Sequence, residues 1–171
     1  MKHTYGFTLL ELLIVLTVIS IITTAALSNL LKSSRTNALK SDARDLENIF
    51  AISRMEAIKR NCSVTILFNK NDQDCLTFID SNHSCEFDPP QETVLLRYNL
   101  SSAFFDSSKS DGDGLSFIEN DNGYPSLRWD NRGLPHRNGN GFGAGTAYLC
   151  NEESHYCIIV SKTGLIRIKP Y

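Results

Sequence analysis

Glu11 stands near the head of an apolar run, MKHTYGFTLLELLIVLTVISIITTAALSNLL over residues 1–31, where an ionisable side chain is expensive. A carboxylate persists in such a place when a cation meets it. Cleavage between Gly6 and Phe7 would supply one, an α-ammonium at Phe7 four residues before Glu11. The carboxylate could then pair with its own terminus or, in a packed array, with a neighbour's. Either pairing would let an apolar helix enter a fibre in fixed register.

A second chemistry-bearing set is basic: Arg128, Arg132, Arg137, Lys162, Arg167 and Lys169. The net charge of −2 conceals three blocks. Residues 1–69 carry eight Lys/Arg against five Asp/Glu, residues 70–121 three against eleven, and residues 122–171 six against three. The middle block repels polyanions and the last could attract them. Alternation in Leu165–Lys169 places Arg167 and Lys169 on one strand face and Ile166 and Ile168 on the other. Basic residues on an edge hairpin and a Gly/Asn-rich loop suit phosphate contacts without base readout. The same charges also keep an edge strand from pairing with other chains.

The five cysteines are Cys62, Cys75, Cys85, Cys150 and Cys157. None of their spacings is C-x-x-C, and no histidine sits at zinc-finger distance, so a metal site is not expected. Two short-loop disulfides in an oxidising compartment fit better, Cys150–Cys157 first and Cys75–Cys85 second, with Cys62 left over. Sequence alone leaves that connectivity open. The four histidines form no H-E-x-x-H and no phosphate loop opens a helix, so neither catalysis nor a cofactor is expected. Asp111-Gly112-Asp113-Gly114 hints at a calcium loop but lacks the glutamate that closes one, and reads as a turn.

The elements that must position these residues are legible in the pattern. Residues 12–31 carry no charge, and a helix of that length spans about 30 Å, the thickness of a bilayer core. A cleaved secretory signal has a shorter apolar stretch and no acid at its start. No Gly or Pro occurs from Phe7 to Asn61. The pattern turns amphipathic at Leu39, Ala43, Leu46 and Phe50, with Arg35, Lys40, Arg44 and Arg54 outside the stripe. Strand-like runs follow at Ser63–Asn69, Cys75–Asp80, Thr93–Asn99, Leu115–Glu119, Leu127–Trp129, Thr146–Cys150, Tyr156–Ser161 and Leu165–Lys169, with turn residues between them. Helix first and strands after predicts an α+β fold, a long N-terminal helix packed on antiparallel sheet.

Gly6-Phe7-Thr8-Leu9-Leu10-Glu11, after a short basic leader and before a long apolar helix, resembles the type III signal of type IV pilins and type II secretion pseudopilins. The resemblance implies a prepilin peptidase that cuts after Gly6 and N-methylates Phe7, with Glu11 in the family's fifth mature position. Many members carry a proline about twenty residues into the mature helix; Ser28 stands there. AISRMEAIKRNCSVTILFN (51–69), RWDNRGLPHRNGNGFGAGTAYLC (128–150) and CIIVSKTGLIRIK (157–169) are similar to the GspH/FimT branch. The acidic stretch 70–121 carries none of this resemblance. In FimT-type minor pilins the closing hairpin carries a Gly-Arg-x-Arg motif linked to DNA binding. Here Gly164 and Arg167 keep two of its positions, and Leu165 replaces the first arginine.

The resemblance implies a type IV pilin-like fold: a leader at 1–6, a transmembrane and assembly helix at 7–31, its amphipathic half at 32–61, and a β-rich domain at 62–171. It implies a minor pilin or pseudopilin, a structural subunit and not an enzyme, anchored once in a bacterial inner membrane with its domain in the periplasm. Its partners would be the peptidase, other pilins, the membrane, and DNA bound without sequence preference. A tip subunit of the type II secretion pseudopilus is the alternative.

Overall fold

The computed structural model describes residues 8–139 and 141–171. Helix α1 (Leu9–Arg60) is 52 residues long and runs through position 28 without interruption. The chain divides into two compact units, residues 1–35 and 36–171.

In the first unit the large apolar side chains from Leu9 to Leu31 are 48–84% exposed. The hydroxyls of Thr17, Ser20, Thr23 and Thr24 donate to carbonyls three or four residues back, at 2.7–2.8 Å. Each polar group thus finds its partner inside the helix, as an apolar surrounding requires. By length and composition this helix could cross a membrane.

In the second unit α1 turns amphipathic as its sequence predicts. Leu39, Ala43, Leu46 and Phe50 are buried, and Arg35, Lys40 and Arg44 are exposed. Among the described residues nine strands follow: β1 (Val64–Asn69), β2 (Asp74–Ile79), β3 (Val94–Asn99), β4 (Phe104–Phe105), β5 (Ser126–Trp129), β6 (Pro135–His136), β7 (Gly145–Cys150), β8 (His155–Val160) and β9 (Ile166–Pro170). They form two sheets, ordered β3-β2-β1-β5-β6 and β4-β7-β8-β9, with every pairing antiparallel. One face of each sheet joins the helix stripe in a single core. Its centre is aromatic: Phe68 stacks on Phe117 at 5.1 Å between ring centroids, Phe50 tilts against both, and Phe105 meets Phe68 edge to face.

Strand alternation decides what each face carries. Val64, Ile66 and Phe68 of β1 point to the core with Cys75, while Thr65 and its neighbours Phe78 and Arg128 lie on the outer face. The loop after β2 covers part of that outer face, with Phe87 set against Phe78. Asp80, fully buried, holds this loop: it accepts from the Thr65 hydroxyl and from the backbone N–H of Ser84 and Cys85.

Seven of the eight expected strands form within a residue or two. Leu115–Glu119 does not; Leu115 and Glu119 make isolated bridges to Ala147 and Pro125, and Phe117 turns inward. The cause is local. Positive φ at Ser110, Gly112 and Gly114, and an Asp113 carboxylate that accepts from Leu115 N–H, twist the segment out of a ladder.

Candidate functional site

Gly6 and Phe7, the expected cleavage and methylation residues, lie outside the described residues. What is described begins at Thr8, whose hydroxyl accepts the Glu11 backbone N–H at 3.2 Å. Thr8 is therefore the helix N-cap and Glu11 its third residue, the Thr-x-x-Glu spacing of a capping box. The sequence reading missed this local role, although the spacing itself displays it. Glu11 also sits where a helix dipole favours negative charge. Its carboxylate has no partner among the described residues.

The basic residues divide into two groups. Arg167 and Lys169 are exposed on the outer face of β9, opposite Ile166 and Ile168, as alternation requires. Lys162 lies in the β8–β9 turn, and Arg132 in the turn after β5. These two turns touch: a Cβ added at Gly164 (φ +79°) would lie 3.0 Å from the carbonyl oxygen of Gly133. Arg132 is partly neutralised there, donating to Asp130 Oδ2 through Nε and Nη2 at 3.1 and 3.0 Å. Arg137 lies in the loop after β6, its guanidinium beside Gly141. Arg54, expected to point outward, instead lies over the Trp129 ring at 5.7 Å and donates to the Gly164 carbonyl at 3.0 Å.

Asp130 organises its corner. Burial works against its charge. The Leu134 and Arg132 backbone N–H, the Arg132 guanidinium and His136 outweigh that and hold the carboxyl below its usual range.

All five cysteines are free thiols in this structure. The expected Cys75–Cys85 bridge is not formed in this structure: Cys75 belongs to the core face of β2, whereas the following loop carries Cys85 to the outer side beside Thr65, Ser126 and Arg128. Cys150 and Cys157 do share a face, but Cys150 opposes His155 and Cys157 opposes Tyr148, which leaves the two on a diagonal. Diagonal neighbours lie about 7–8 Å apart, beyond the usual disulfide span of about 4.4–6.8 Å. Burial raises the thiol pKa values, that of Cys75 to about 12.

An apolar helix opening on a capped glutamate, whose continuation forms the spine of two antiparallel sheets, defines a pilin-like protein. Residues 1–27 match the prokaryotic N-terminal methylation motif, and residues 42–164 match the family described as Type II transport protein GspH. The chain belongs to the GspH family. Pilin-like protein PilA1 of Thermus thermophilus is 38% identical over 88 residues, 51% of this chain and 55% of that protein. The chain thus spans about half the length of this relative. The type IV minor pilin FimU of Pseudomonas aeruginosa, in two crystal forms, superposes with TM-scores of 0.51 and 0.50 at 13% and 15% identity. These cover 77% and 78% of this chain and 92% and 90% of FimU. At such identity the likeness is one of fold.

Proposed function

We propose that this chain is a minor pilin, a structural subunit of a type IV pilus, held in the inner membrane with residues 36–171 in the periplasm before assembly. The observation that carries the reading is the helix from Leu9 to Leu31, apolar, exposed and headed by Glu11. A prepilin peptidase removes residues 1–6 and methylates Phe7, and the new α-ammonium meets a Glu11 carboxylate within or between subunits. Membership of the GspH family supports the class of subunit. It supports a place in a type II secretion pseudopilus equally, and the neighbouring genes separate the two. Intact mass of the membrane-extracted protein tests the processing: the expected mass is that of residues 7–171 plus one methyl group. A start near Ala26, as after an ordinary signal peptide, would overturn it.

A second reading, nonspecific DNA contact, is favoured by Arg167 and Lys169 standing together on an exposed face and by the packing of the Lys162 turn against the Arg132 turn. Arg167→Gln with Lys169→Gln then weakens duplex binding and flattens the dependence of log K on log salt by about two. Leu165 is 48% exposed, so Leu165→Arg fits without repacking and tightens binding. A low-salt mobility-shift titration with no binding by either protein leaves the structural subunit alone.

A further inference from the structure

The outer face of the five-stranded sheet holds a polar concavity of about 420 Å³. Four segments line it: the α1–β1 turn with Asn61, the loop after β2 with His83, strand β5 and its turn with Arg128 and Arg132, and β6 with His136. We propose that it is a seat for one tetrahedral oxyanion, inorganic phosphate or a phosphate monoester. The inference stands independently of the pilus reading.

Charge is the first argument. Two guanidinium groups and one carboxylate, Asp130, line it, and that carboxylate is fully engaged. Its Oδ1 accepts the backbone N–H of Arg132 and Leu134, and its Oδ2 faces Arg132 Nε, Arg132 Nη2 and His136 Nε2. Arg128 therefore meets no acid among the described residues. One of its N–H groups donates to the His83 carbonyl, and the rest of the fork stays available. An arginine fork matches the edge of a phosphate with paired hydrogen bonds.

Rigidity is the second. Arg128 lies within β5, paired to Thr65 of β1 on one side and to His136 of β6 on the other. The His83 wall is tied down through Asp80, and the mouth is braced by Asn131 Nδ2 donating to Asn61 Oδ1 at 2.9 Å. Donors so held lose little freedom when an anion arrives. The lining comes from four segments, and the volume admits a phosphate with some water.

The test uses the full chain in nonionic detergent, its arginines nitrogen-labelled, with the side-chain N–H signals followed by NMR. Probes are inorganic phosphate, glycerol phosphate, acetate, a DNA oligonucleotide without terminal phosphates, and sodium chloride at matched ionic strength. The expected result is a saturating shift of the Arg128 signal with the first two and at least roughly tenfold weaker response to acetate, which carries less charge and fewer acceptor oxygens than a phosphate. The melting temperature should rise with phosphate in parallel. Arg128→Gln and, if that variant fails to fold, His136→Gln with Arg128→Lys should abolish the rise in melting temperature, while Arg167→Gln with Lys169→Gln leaves both effects intact. Shifts that follow chloride or saturate more tightly with acetate or the oligonucleotide, or a melting-temperature rise that persists in the pocket variants, would overturn the proposal.

Discussion

Asp42 gathers hydrogen bonds from four residues of the second unit, although nothing about its position in the helix advertises it. It is 2% exposed and accepts from Ser102 N–H, Ala103 N–H, the Ser101 hydroxyl and the Tyr98 hydroxyl, at 2.7–3.0 Å. Asp42→Ala strands two backbone donors, and each buried donor left unpaired costs about 1–3 kcal/mol. Chemical denaturation should show a loss on the order of 3 kcal/mol, far above that of Asp72→Ala on the exposed β1–β2 turn. Asp130 yields a prediction in pH. A carboxyl whose folded pKa is depressed adds stability above its unfolded pKa of about 3.9 and loses it as pH falls through the lower folded value. The gap in melting temperature between wild type and Asp130→Asn should be widest above about pH 5 and shrink toward pH 3. The thiols supply a third measurement. Native alkylation followed by peptide mapping should label Cys62 and Cys150 readily and leave Cys75 protected, since its thiol is buried and its pKa raised to about 12. A Cys75–Cys85 peptide in an unreduced map would contradict the two-face placement.

At the scale of elements, α1 is one helix with two employments, and the change falls where the apolar run gives way to a stripe. Phe50 shows what the stripe does: fully buried, it meets Phe68 of β1 and Phe117 between the sheets. Phe50→Ala should cost about 3–5 kcal/mol, because neighbours from three elements cannot all close the hole. The β8–β9 turn depends on Gly164. Its φ of +79° disfavours any side chain, and a Cβ there would press on the Gly133 carbonyl and the Trp129 ring. Gly164→Ala should lower stability by about 1–3 kcal/mol and disturb the turn that carries Lys162. Thermal melts with the Thr163→Ala variant as control separate that strain from a simple loss of a hydroxyl.

For the whole molecule, the two units predict separable behaviour. Unit two contains the entire buried core, so a chain beginning at Thr36 should melt cooperatively in water without detergent. Unit one should decide assembly. Glu11→Ala and Glu11→Lys are expected to leave processing and membrane insertion intact while reducing incorporation into sheared fibres, with lysine worse because it would place two cations together. Since Thr8 caps the same turn, Thr8→Val is the companion variant: it weakens the cap without touching the carboxylate, and its normal incorporation would separate the two roles. If both Glu11 variants entered fibres at wild-type levels, the charge pairing would be wrong.

The helix, its apolar first half, its buried stripe and seven of the strands were legible in the sequence. Each depends on local periodicity, and periodicity is written residue by residue. The sequence likewise determined that Arg167 and Lys169 share a face and, through the Gly6–Glu11 motif, the class of protein. Other features required the tertiary structure, because they join residues far apart in the chain. Strand order decided that Arg128, His83 and Asn61 border one concavity, though they come from three separate segments. Alternation set Cys75 on the core face of β2 while the loop after β2 carried Cys85 to the outer side, a separation their nearness in sequence conceals. Asp42 reads as an ordinary polar helix residue until the loop after β3 folds over it. Two-residue strands such as β4 and β6 carry too little pattern to be seen, and exist because β7 and β5 offer them an edge.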